Sequence, residues 1–231
     1  MGVGELFGKS WETFKTVWLV ALVIAFVGIA IQSVVKKIAF MVWGVSFGVS
    51  SLATLGIGGG RFFLSNLLFN IAGLIVIWTA FMVINFWMQT AIVYAIRNQE
   101  ANDVFAAVKK AMQQSWGALG PIAVISLLTS LFTGLGFLFL IIPGVFLLIV
   151  WQFATLSYVV DGKKSMGALN HSWNLVLPKF WGVLGRNLLM ALVIFLVEIV
   201  LNKGMLGLAK SLIITPFWVA FSYSLYLDLK K

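Results

Sequence analysis

Asn187, Ala191, Ile194, Glu198 and Asn202 follow one another at steps of four, three, four and four residues. That spacing puts all five on one face of an α-helix. The stretch that holds most of them, 180–201, is otherwise strongly apolar, so two amides and a carboxylate are carried into hydrophobic surroundings. Asn85 and Gln89, one helical turn apart, lie in a second apolar stretch, and Gln152 lies in a third. Polar groups in such surroundings bind a ligand or line a polar path, or else they join helices through hydrogen bonds worth about 0.6 kcal/mol each. Asn85, Gln89, Gln152, Glu198 and Asn202 are therefore the candidate ligand-binding or pore-lining residues. The structural alternative gives Glu198 an ion pair with Lys36, Lys37, Lys203 or Arg61.

Reactive chemistry is poorly provided for. The chain has one histidine, His171, and no cysteine. Haem held by two histidines, His-rich zinc sites, thiolate metal sites, disulfides and cysteine nucleophiles are thereby excluded. The glycine-rich run LGIGGGR at 55–61 lacks the Lys-Ser/Thr of a phosphate loop. His171 reads as a solvated or headgroup-contacting side chain, and Asp161, followed by Gly162, as the end of a helix. No acid and base are clustered, so no enzyme, no resident cofactor and no metal site are expected.

Composition defines the elements that must position these residues. Of the 231 residues, 61% are hydrophobic and 10% charged, against roughly 25% charged in an average soluble domain. Mean hydropathy is +1.05. No charged residue occurs between Lys110 and Asp161, which leaves room for two passes of about 20 residues each. None of the long runs alternates as barrel strands do. The chain reads as all-α, a polytopic membrane protein of one domain, 1–231. Its six transmembrane helices are expected at about 16–35, 67–96, 117–133, 137–160, 180–201 and 205–227. TGLGF, at 133–137, predicts a tight hairpin, and Pro143-Gly144 predicts a bend near the outer end of the fourth span. Residues 39–60, mostly Gly and Ser in their second half, read as a long outer loop packed on the bundle, with a re-entrant segment or a seventh span as the alternatives.

A repeat runs through the chain. Trp181-Gly182-Val183-Leu184-Gly185 aligns with Trp116-Gly117-Ala118-Leu119-Gly120 at a shift of 65, and Ser172-Trp173 with Ser10-Trp11 at a shift of 162. Three stripes then coincide: Phe7, Trp11, Phe14 and Trp18; Val104, Val108, Ala111 and the polar Ser115; Leu169, Trp173, Val176 and Phe180. Each unit (3–97, 101–160 and 164–228) reads as a cytoplasmic interfacial amphipathic helix followed by two spans. The three helical hairpins would be related by a pseudo-threefold axis along the membrane normal. Trp11, Trp173 and Trp181 are the expected interfacial anchors, because an indole is apolar apart from one N–H.

Charge sets the orientation. Eleven Lys and Arg fall on the side of the termini and interfacial helices and five on the other, which places both termini in the cytoplasm. The net charge of +9 then reads as topology and attraction to anionic lipid headgroups, not as nucleic-acid binding. The first residues carry Glu5 and Glu12 without a small-residue cleavage site, so no cleaved signal peptide is expected. Leu6 stands where a myristoylation signal needs Ser or Thr.

Residues 141–185 carry Pro143-Gly144, Asp161-Gly162, Ala168-Leu169, Ser172-Trp173 and Phe180-Trp181. In these features the chain resembles the membrane domain attached to some glycerophosphodiester phosphodiesterases, and related bacterial six-span proteins. The resemblance covers the C-terminal half, and reaches the N-terminal half only through the repeat. It implies an integral membrane module that works beside enzymes acting on lipid-derived substrates. It does not imply catalysis, since the hydrolase domain is absent from these 231 residues. The expectation is a non-enzymatic module of a bacterial inner (plasma) membrane that binds lipid or an envelope protein partner, with homo-oligomers possible. The alternative is a small transporter or channel with a polar path through the bundle.

Overall fold

The computed structural model describes residues 2–54, 60–98, 103–201 and 206–231. Within these, side chains are described except at 42–43, 45–54, 60–72, 74–75, 198, 200–201 and 206–211. The described residues form nine α-helices and no strand: α1 (Val3–Thr54), α2 (Gly60–Arg97), α3 (Val104–Gly117), α4 (Leu119–Phe139), α5 (Ile141–Trp151), α6 (Ala154–Asp161), α7 (Met166–Val176), α8 (Phe180–Leu201) and α9 (Leu206–Leu229). Six stretches are long and apolar enough to cross a membrane: Val3–Met41, Val76–Arg97, Leu119–Phe139, Ile141–Asp161, Met166–Val197 and Leu212–Leu229. This is a multi-pass, all-helical membrane protein.

The N-terminal segment departs from expectation in two ways. The first amphipathic stretch is not a separate helix, because α1 runs on without a joint from Val3. Nor do residues 39–54 form a loop, since α1 continues to Thr54. At 1.5 Å per residue a helix of this length is about 78 Å long, more than twice the hydrocarbon thickness. Isolated Gly44 and Gly48 cost propensity without ending the helix. The helix ends just ahead of the glycine run at 56–60.

Packing fixes the relative directions. Phe7 meets Phe221 at 5.4 Å between ring centroids, and Phe14 meets Phe217 at 5.9 Å. α1 and α9 are therefore antiparallel, and the two termini share one end of the bundle. α2 returns along α1, where a Cβ on Gly28 would fall 2.5 Å from Met88 Sδ. Leu6, Ile24, Ile92, Phe153, Phe221 and Tyr226, six of the largest fully buried side chains, come from α1, α2, the α5–α6 segment and α9, and Ile122, Ile125 and Met190 add α4 and α8.

The α4–α5 hairpin lies later than TGLGF predicts. Residues 133–137 belong to α4, and the chain reverses at Leu140, whose backbone is extended. Gly134 and Gly136 do not make the turn. Gly136 instead lets α5 approach, since a Cβ there would lie 3.0 Å from Gly144 Cα. Pro143 bends nothing, because it sits in the first turn of α5, where a missing N–H costs little. The break in this span falls instead at Gln152-Phe153, between α5 and α6. α6 stops at Asp161, as its sequence suggests, with Gly162 in the left-handed conformation (φ 67°) that favours glycine. α3 joins α4 through Ala118, and α7 joins α8 through a 3₁₀ turn at Leu177–Lys179.

Candidate functional site

The elbow at Gln152-Phe153 organises the interior. Ending a helix in hydrocarbon orphans carbonyls that must find other partners. Ser172 supplies one: its buried hydroxyl donates to Val150 O at 2.6 Å, tying α7 to the end of α5. Trp173 packs beside it on Phe146 (5.6 Å) and Trp151 (6.2 Å). Phe153 turns inward, fully buried, against the Tyr226 ring. Gln152 Oε1 accepts from Asn187 Nδ2 at 2.9 Å, while Gln152 Nε2, also buried, has no partner among the described residues.

Gln152 lines a half-open cavity of about 600 Å³ between α2, α4, the α5–α6 segment and α9. That size lies in the range of small-molecule sites. Much of the wall is aromatic, with Trp78, Phe86, Phe137, Trp151 and Trp218. Among the described residues the polar lining is Gln89, Thr129, Ser130, Thr133, Gln152, Thr155 and Ser222, and none of the described lining residues is charged. Most buried hydroxyls elsewhere bond back to their own helix: Ser10 to Leu6 O, Thr90 to Phe86 O, Ser157 to Phe153 O. Thr129, Thr133 and Thr155 do not, and their buried Oγ1 atoms have no partner among the described residues.

The structure brings Gln89 and Gln152 together in this cavity, but not Asn85. Asn85 Nδ2 donates to Phe81 O, one turn back on its own helix, and the residue is not part of the lining. The side chain of Glu198, and all of Asn202, lie outside the described residues. Of the polar face on α8, Asn187 alone can be placed at an amide, and its partner is Gln152. Trp11 and Trp181 are exposed at 49% and 80%, whereas Trp173 is half-buried within the protein. The three threonines, Ser130 and Ser222 escape a sequence reading, although Thr129 and Thr133 at i, i+4 already mark one face of α4.

A second polar cluster lies at the end of the bundle that holds the termini, and it is charged. Asp161 gathers three partners. Lys230 Nζ donates to its Oδ1 at 2.5 Å, Tyr226 OH donates to its Oδ2, and His171 Nε2 lies 3.0 Å from that same oxygen. The histidine contact is close without hydrogen-bond alignment. His171 thus faces a carboxylate, where the sequence suggests solvent or headgroups. Arg186 pairs with Asp228 at 2.8 Å, Lys179 Nζ donates to Leu229 O at 3.0 Å, and Arg97 Nη1 donates to Val159 O at 2.5 Å. These contacts lock the ends of α2, α6, α8 and α9 to one another. No model of a known protein family, no curated protein and no solved structure matches this chain.

Proposed function

We propose that the protein is a non-enzymatic membrane module that holds a membrane-soluble lipid inside its helix bundle. The observation that carries this reading is the cavity between α2, α4, α5–α6 and α9, with aromatic walls and one set of uncharged polar groups. Its only ready source of ligand is the surrounding bilayer. The termini, α3 and α7 lie at the cytoplasmic face of a bacterial inner membrane, where Lys109, Lys110, Lys163 and Lys164 attract anionic headgroups. Exposed Trp11 and Trp181 anchor that face. The threefold repeat is supported by equivalent positions pointing inward: Ser10, Ala107 and Ser172 are all buried under the two shifts. The resemblance to the membrane domain of glycerophosphodiester phosphodiesterases fits the same reading, with an envelope enzyme as partner. A transport path has less support, because Asn85 is occupied by its own helix.

The experiment fills the cavity. Gly134 lines it, and a Cβ there would meet nothing within 4 Å. Gly134→Leu should fold normally by circular dichroism and lose the lipid that co-purifies with the parent, as read by mass spectrometry of extracts. Equal lipid retention by a folded Gly134→Leu would refute the cavity as its site.

A further inference from the structure

Resting on that reading, we infer that the cavity selects uncharged amphiphiles carrying a carbonyl oxygen, and receives that oxygen on the wall formed by Gln152, Thr155 and Thr133. Three observations lead there. First, the free groups on this wall are donors or can act as donors. Gln152 Oε1 is already engaged by Asn187, which leaves the Nε2 amide hydrogens, and the Thr133 and Thr155 hydroxyls are unpartnered; these atoms are buried behind the cavity surface, so a ligand meets them through a turn of the side chain. A buried donor left unmade costs about 1–3 kcal/mol, so a ligand that brings an acceptor removes a standing penalty. Second, Thr133 and Thr155 are 8% and 5% exposed, and neither takes the backbone bond to its own helix that Ser10, Thr90 and Ser157 take. Third, no Lys, Arg or His among the described residues lines the space, so a phosphate or carboxylate would enter without a counter-charge from them. An unpaired ion in low dielectric is far costlier than a neutral carbonyl. The bases of the termini-end cluster do not supply one, because Lys230 and His171 face Asp161.

Two membrane sources share this chemistry: the acyl ester of a neutral glyceride, and the ring carbonyl of a prenylated quinone. The aromatic wall of Trp78, Trp151 and Trp218 accommodates either an acyl chain or a flat ring.

The test is native mass spectrometry of the purified full chain in a neutral detergent. Four probes are compared: 1-oleoylglycerol, its ether analogue 1-O-oleylglycerol, a decyl-substituted benzoquinone, and 1-oleoylglycerol 3-phosphate. The ester or the quinone should bind about fivefold more tightly than the ether, the worth of one hydrogen bond in a dry site. Whichever of the two binds better identifies the source. The phosphate should be the weakest. Gln152→Leu and Thr155→Val should abolish the preference for ester over ether while ether binding persists, and Thr155→Ser should retain it. Persistence of ether binding also shows that a variant is folded. If ester, quinone and ether bind equally, carbonyl selection is wrong and lipid binding stands. If the phosphate binds best, the neutral assignment is wrong. If none of the four binds, both this inference and the function it rests on fail.

Discussion

The α5–α6 segment and α9 each take part in two polar regions, and the two are built on opposite rules. Toward the termini, Asp161 on α6 meets Tyr226 on α9, Lys230 just beyond its end and His171 on α7, so each of its oxygens is answered. In the cavity, Gln152 and Thr155 on that segment face Trp218 and Ser222 on α9, the groups are neutral, and several have no partner. Charges are affordable where they are paired and near water. Open hydrogen-bonding capacity is tolerable in the interior only if it is uncharged, because an unmet dipole costs far less than an unmet ion. One region holds the helices together, and the other stays available. Removing a group should therefore have opposite consequences in the two places.

Asp161 gives the largest effect. Asp161→Ala leaves Lys230 and a fully buried Tyr226 without their shared acceptor. We expect a loss of about 3 kcal/mol, the scale for breaking a partly buried charged network by removing one partner. Reversible unfolding in mixed micelles of a mild detergent and SDS reads it. A loss below about 0.5 kcal/mol would place the network among exposed ion pairs of little worth, and would erase the contrast.

Ser172 stands between the two regions and should show an intermediate effect. Its hydroxyl closes the carbonyl of Val150, just before the elbow that turns Gln152 toward the cavity. Ser172→Ala leaves that buried carbonyl unmet, at a cost of about 1–2 kcal/mol in the same assay. Ser172→Thr keeps the hydroxyl and should recover part of the loss. If Ser172→Ala costs nothing, the elbow is held by packing of Trp173 on Phe146 and Trp151 alone.

Much of the architecture was legible because a lipid-exposed helix must be long and apolar, and residues 111–160, free of charge, leave little else to consider. The departures at the glycines share one cause. A single glycine costs a helix only about 1 kcal/mol, so α1 runs on past Gly44 and Gly48, and Gly136 serves packing instead of turning. The elbow was not legible at all. Its stability depends on Ser172 and Asn187, which lie 22 residues from Val150 and 35 from Gln152. The site was half legible for a similar reason. Amides in apolar runs announce themselves, as Gln89 and Gln152 did. A threonine does not, because its hydroxyl usually disappears into the carbonyl one turn back. Only the fold shows that Thr129, Thr133 and Thr155 do otherwise.

The smallest stability effect should come from Thr155, and it probes the contrast from the other side. Thr155 is as buried as many core residues, at 5% exposure, and its hydroxyl has no partner among the described residues. Thr155→Val keeps the branched shape and replaces the hydroxyl with a methyl. Ordinarily this swap in a core breaks a hydrogen bond and destabilises. Here there is no bond to break, and an unmet dipole is replaced by a group suited to its surroundings. We therefore expect stability in detergent to be unchanged or raised by up to about 1 kcal/mol, the lower end of the penalty for a buried unmet group. Asp161→Ala and Thr155→Val, less than two turns apart on one short helix, would then move stability in opposite directions. A loss of more than about 1 kcal/mol for Thr155→Val would mean that the hydroxyl is already answered in the protein. The cavity would then be held shut by the same logic as the charged network, and the distinction between a region that holds and a region that receives would fail.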